Sequence, residues 1–185
     1  MPCYEKVHSL GDYGMGGWNF GDGSTSGSNL LSNGAFTTNT TGWTAVNGTI
    51  TAIAGGQSGK CCQLTRTSED SQYFYQDLSG LDFGLLYRLT AYVKSGTSGN
   101  ESFALQMRNA DRSIVKNQVT GTSSSTWTNY TLYWRAFHAT NVVCLLKNSS
   151  TAGTMLFDTV TVYAFDYSVS ETIGGCPFCG SKNWK

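Results

Sequence analysis

The strongest constraint on how this chain can fold is a period of two. Between residues 87 and 94, Tyr87, Leu89, Ala91 and Val93 alternate with Arg88, Thr90, Tyr92 and Lys94. Phe103, Leu105 and Met107 oppose Ala104, Gln106 and Arg108, and Tyr130, Leu132 and Trp134 oppose Thr131, Tyr133 and Arg135. Successive side chains of a strand point to opposite faces, so each run predicts a strand with one apolar face. Residues 73–78 and 155–165 continue the series. Residues 142–146 are almost continuously apolar, as a strand buried on both faces is. Turn signals rich in Gly, Ser and Asn recur roughly every 10 to 15 residues, and no window carries a helical period. The prediction is an all-β fold, a jelly-roll β-sandwich.

The two ends break this pattern. Residues 1–28 are aperiodic and hold seven glycines between Gly11 and Gly27, which predicts an N-terminal arm. Trp18 and Phe20 give the arm something to pack with, on its own domain or on a neighbouring subunit. Residues 166–185 form a short tail with Cys176-Pro177-Phe178-Cys179-Gly180. The sandwich is expected over 29–165.

Charge narrows the partners. Lys and Arg number 12, Asp and Glu 12, and charged residues are only 13% of the 185. With zero net charge and no basic run, a dedicated nucleic-acid binder is not expected, because phosphate neutralisation needs clustered Lys and Arg. No apolar stretch is long enough to predict a membrane-spanning helix. Met1-Pro2-Cys3-Tyr4-Glu5-Lys6 does not read as the start of a signal peptide.

Several segments, taken in order, resemble a known family. They are Asn29-Leu30-Leu31-Ser32-Asn33-Gly34-Ala35-Phe36 with Gly42-Trp43; Ser58-Gly59-Lys60-Cys61-Cys62-Gln63-Leu64; Tyr87-Arg88-Leu89; Thr126-Trp127-Thr128; and Met155-Leu156-Phe157-Asp158-Thr159-Val160. Together they resemble the carbohydrate-binding modules of the family 4, 9 and 22 type, which are galactose-binding-like jelly rolls. The resemblance implies glycan binding and a structural calcium. Two of the family's acidic positions are here Thr37 and Thr159, so Asp158 is the surviving calcium candidate.

A glycan offers C–H faces to aromatic rings and hydroxyls to planar polar groups. The outward positions that match are Tyr73, Tyr75, Tyr92, Gln106, Arg108 and Tyr133. The competing reading is that Tyr is simply favoured on pleated surfaces, or that another layer covers this face. Catalysis is not expected, since no pair of carboxylates and no nucleophile motif stands out. Cys176 and Cys179 have the spacing of a zinc knuckle, and Cys3 and His8 could complete a zinc site stapling arm to tail. A disulfide or free thiols are the alternatives. Cys61, Cys62 and Cys144 fall in strand patterns; at least one of Cys61 and Cys62 must point inward, and Cys144 reads as a buried small hydrophobe.

The expected function is a non-catalytic, carbohydrate-binding-type module. A chain of this kind without an export signal suggests a bacteriophage virion protein, for capsid decoration, cement or tail adhesion, made in the host cytoplasm. Its partner would be a glycan or a capsid or tail protein, within an oligomer or larger assembly. The alternatives are a purely structural cement protein and an extracellular accessory module of a glycoside hydrolase.

Overall fold

In the computed structural model, residues 24–67, 72–97, 99–147 and 153–166 are described. They form eleven strands and no helix: β1 (Ser24–Ser26), β2 (Thr44–Val46), β3 (Gly48–Ala54), β4 (Lys60–Arg66), β5 (Gln72–Leu78), β6 (Leu86–Ser95), β7 (Ser102–Arg108), β8 (Val115–Thr122), β9 (Thr128–Arg135), β10 (Asn141–Lys147) and β11 (Thr154–Asp166). One sheet runs β3-β4-β11-β6-β9, with β1 added beside the end of β11. The other runs β2-β5-β10-β7-β8. Every pairing is antiparallel. The chain passes repeatedly between the sheets, and the result is the jelly-roll sandwich that the alternation predicts.

The core follows from the periodicity. Leu89, Ala91 and Val93 of β6 face Phe103, Leu105 and Met107 of β7, and all six are fully buried. Such packing removes roughly 25 cal/mol of unfavourable hydration per Å² of apolar surface. Strand β10 is buried on both faces from Asn141 to Leu145, as its apolar run requires. Cys62 joins the main core, Cys144 joins a smaller cluster on the outside of the five-stranded sheet, and Cys61, Cys62 and Cys144 are free thiols. Burial pushes the Cys61 thiol up to about 11 and Cys144 up to about 12.

The opening motif closes a gap at the edge of β11. Strand β4 pairs with β11 only as far as Phe157, and β1 begins at Ala164. Between them a bulge at Asp158–Thr161 shifts the register against β6, and Thr159 takes φ 48°. The free backbone groups are met by segment 29–34. Leu30 N donates to Val162 O (2.9 Å), Val162 N to the Asn29 side chain (2.9 Å) and Val160 N to Gly34 O (2.9 Å). Residue 34 has to be glycine, because a Cβ there would lie 1.9 Å from Val160 O. Phe36 then plugs the core against Trp43, with ring centroids 5.6 Å apart. Trp43 Nε1 donates to Asn33 O at 3.3 Å. Gln76 of β5 accepts from Ser32 N (2.7 Å) and donates to Gly42 O (3.0 Å). The opening segment of the family resemblance is thus locked to both sheets.

Ser24–Ser26 falls within the segment read as an arm and pairs with β11 as a short strand. Cys3, His8, Cys176 and Cys179, the zinc candidates, lie outside the described residues.

Candidate functional site

The outer face of the five-stranded sheet gathers four of the six sequence-predicted ligand residues. Pairing register sets them in rows. One row reads Tyr75, Cys144, Gln106, Gln118 across β5, β10, β7 and β8. The next reads Asp77, Val142, Arg108. Ala104, Val142 and Cys144 form a small, fully buried apolar floor. Tyr73 and Tyr75 pack against that floor with their rings 6.2 Å apart and tilted by 42°. Gln106, Gln118 and Arg108 line the other side in a continuous polar chain. Arg108 Nε donates to Gln106 Oε1 at 2.7 Å, and Gln106 Nε2 donates to Gln118 Oε1 at 2.8 Å. These bonds fix both amides, so their remaining polar atoms have set directions.

Two guanidiniums roof the tyrosines. Arg108 reaches across β10 to bring its Cζ within 5.1 Å of the Tyr73 centroid. Arg112, from the loop between β7 and β8, sits with Cζ 4.3 Å from the Tyr75 centroid. Both distances are in cation–π range. Asp77 is exposed beside them. The three charges all act on Cys144 below: burial dominates in raising its thiol pKa, the arginines lower it and Asp77 raises it. Arg112 and Gln118 are absent from the sequence-predicted set. Gln118 sits on a polar edge strand. Arg112 sits in a turn, where alternation carries no information about facing.

Tyr92 and Tyr133 stand elsewhere. They lie on β6 and β9, on the outer face of the six-stranded sheet. Tyr92 is paired with Asp158 and Asn129. Tyr133 packs its ring on Phe165 at 4.9 Å. Two sheet layers separate these tyrosines from Tyr73 and Tyr75, so the six residues do not share one surface.

Asp158, the calcium candidate, is 1% exposed. Its Oδ1 accepts from Thr159 N and its Oδ2 from Gln57 N, each at 2.6 Å. Burial raises its carboxyl above the ordinary range despite these bonds. Calcium takes six to eight hard oxygens, whereas this carboxylate is turned toward N–H donors. Among the described residues no group of three or more His, Cys, Asp or Glu could hold a metal. A calcium ion at Asp158 would need its other oxygens from backbone carbonyls and neutral side chains.

The family model described as "Carbohydrate binding domain" matches residues 28–143, more than half of the chain. The chain belongs to this carbohydrate-binding domain family. The matched span contains Tyr73, Tyr75, Gln106, Arg108, Arg112 and Gln118 of the tyrosine face. Among solved structures, a family 4 carbohydrate-binding module, described as "CBM4 structure and function", superposes with a TM-score of 0.58 at 16% identity, covering 72% of this chain and 99% of that one. The CBM22-1 xylan-binding domain from Paenibacillus barcinonensis Xyn10C gives 0.59 at 18%, covering 76% and 97%. The enzymatically active domain of tailspike protein 4 from bacteriophage CBA120 gives 0.57 at 14%, covering 74% of this chain and 21% of that one. These likenesses establish the fold. No curated protein matches the chain.

Proposed function

We propose that this carbohydrate-binding domain holds glycans without altering them, on the outer face of the five-stranded sheet. The observation that carries the reading is the pair Tyr73 and Tyr75 beside a small apolar floor, edged by the Gln106–Gln118–Arg108 chain. The parts of Tyr73 and Tyr75 left exposed beside the guanidiniums offer surface to sugar C–H groups; the amides and guanidiniums supply hydrogen-bonding groups for hydroxyls. Glycoside hydrolysis needs two carboxylates about the scissile bond, and the strands of this face carry only Asp77 among the described residues.

A panel of polysaccharides in affinity electrophoresis tests the reading. The wild type should be retarded by at least one of them. Tyr73→Ala with Tyr75→Ala should weaken that binding roughly tenfold or more, since each ring contact contributes about 1 kcal/mol. Retardation by no polysaccharide, or equal retardation of the double variant, would sink it.

The proposal extends to display on a bacteriophage particle, as a decoration, cement or tail-adhesion protein. The support is that a phage tailspike carries a domain of this fold, and that a surface low in charge suits a neutral protein lattice. Antibody against the sandwich should then label purified particles. Antigen found only in the soluble fraction of the lysate would overturn this extension.

A further inference from the structure

Both tyrosines of the candidate face lie beneath arginines, and this bears on what kind of glycan fits. A neutral sugar stacking on Tyr73 or Tyr75 would first have to displace a guanidinium from its ring. A sugar bearing a carboxylate can instead meet the guanidiniums where they stand. We infer that the face reads acidic glycans, polymers of uronic acid, and that Arg112 is the residue that recognises the carboxylate. This inference rests on the glycan-binding reading above and specifies its ligand class.

Four observations support it. First, Arg112 is presented by a backbone that is costly to form. It adopts φ 66°, in the left-handed region that a residue with a side chain rarely takes. Second, the turn that imposes this conformation is fastened at several points. Arg112 N donates to Asn109 O at 2.9 Å, Ser113 N to the Asp111 carboxylate at 2.9 Å, and Ile114 N to the Asn109 side chain at 2.8 Å. Arg108 Nη1 donates to Arg112 O at 3.3 Å, so the two arginines are held in one unit.

Third, the Arg112 guanidinium has spare donors. Among the described residues its side-chain contact is the Tyr75 ring face, which leaves its five N–H groups for a ligand. Arg108 has given one N–H to Gln106 and one to Arg112 O, and keeps the rest. A planar fork of this kind matches a carboxylate with two parallel hydrogen bonds. Fourth, among the described residues neither guanidinium is tied up in an ion pair, although the nearby acids equal the two arginines in number. The nearby acids are Asp77, exposed on β5, and Asp111. Asp111 is occupied by Ser113, and that bonding, aided by Arg112, holds its carboxyl below the usual range. The ring contacts hold the two cations over Tyr73 and Tyr75 before any ligand arrives, which is the preorganisation a charged sugar needs.

Binding of purified protein to four polymers, measured by calorimetry, decides the matter. The polymers are polygalacturonate, its methyl-esterified form, neutral xylan and dextran sulfate. Polygalacturonate should bind at least tenfold more tightly than its ester, which has the same backbone without the charge. Arg112→Ala should remove about tenfold of the polygalacturonate affinity without moving the thermal midpoint, and Arg112→Lys should restore part of it. Dextran sulfate binding as tightly as polygalacturonate would overturn the inference, because charge density alone would then suffice. So would xylan or the ester binding as well as polygalacturonate with Arg112→Ala without effect; that result would leave the glycan-binding reading standing. Binding to none of the four, together with an empty polysaccharide panel, would remove that reading and this inference with it.

Discussion

Replacing Phe74 with alanine should destabilise the sandwich by about 3–5 kcal/mol, the range for a large aromatic deleted from a core. Domains of this size are stable by only about 5–15 kcal/mol, so the variant would lose a large part of the margin. The reason lies in what the ring joins. Phe74 points inward from β5 and is fully buried. Its ring meets Trp43 at 5.2 Å and Phe157 at 5.2 Å, both edge-on, and Phe36 at 6.2 Å. Phe157 belongs to β11 of the opposite sheet. Phe36 and Trp43 belong to the opening loop. One ring therefore holds three parts of the fold together. The hole left behind cannot readily collapse. Phe36 sits at φ 49° in a loop that Asn33, Gln76 and Gly34 hold in place, and a pinned loop does not follow a retreating neighbour. Urea unfolding followed by tryptophan fluorescence would measure the loss, with Trp43 reporting directly. A loss below about 1 kcal/mol would mean that the site repacks and that this contact set is not the keystone. Phe83, 79% exposed, is the control: its alanine variant should stay within about 0.5 kcal/mol of wild type.

Alternation makes the central strands legible in the amino-acid sequence alone. Strands β5, β6, β7, β9, β10 and β11 coincide with period-two runs because each buries one apolar face, or in β10 both. Strand β8 is not legible in this way: Val115–Thr122 is mostly polar, with more than half of its residues exposed, and lies at a sheet edge. An edge strand with little to bury carries little hydrophobic signal. The site divides along the same line. Alternation states that Tyr73, Tyr75, Gln106 and Arg108 point outward, and they do. It says the same of Tyr92 and Tyr133 without stating of which sheet, since strand order is set by long-range pairing. Arg112 escapes for another reason. Its placement depends on a left-handed residue in the turn between β7 and β8, and composition says only that a turn is there.

Asp158→Ala should cost about 2–4 kcal/mol, although it removes no apolar core atom, because each buried donor left without a partner costs about 1–3 kcal/mol. The carboxylate is buried, and its two oxygens satisfy the backbone N–H groups of Thr159 and Gln57. The damage would spread in two directions. Thr159, at φ 48°, forms the bulge of β11, and its conformation is supported by the Asp158 bond. Gln57 belongs to the turn joining β3 and β4, and Trp127 Nε1 donates to Gly55 O of that same turn at 3.3 Å. Without the carboxylate, the turn loses its anchor to β11. Asp158→Asn should be milder for one N–H and worse for the other, because its amide offers one acceptor oxygen and then sets a donor against a donor. The pH dependence has a definite sign. Burial raises the folded carboxyl above its ordinary value, so the folded state holds this proton more tightly than the unfolded chain. The group's contribution is fully present below the ordinary carboxylate range and is lost as pH rises through the raised folded value. The gap between wild type and Asp158→Ala should therefore widen on acidification across that window and narrow toward neutral pH. Urea unfolding at several pH values would show this. A variant within about 0.5 kcal/mol of wild type throughout would mean that water meets the freed N–H groups at no cost. Glycan binding should survive in either case, because Asp158 lies on the six-stranded sheet, away from the arginine-roofed tyrosines.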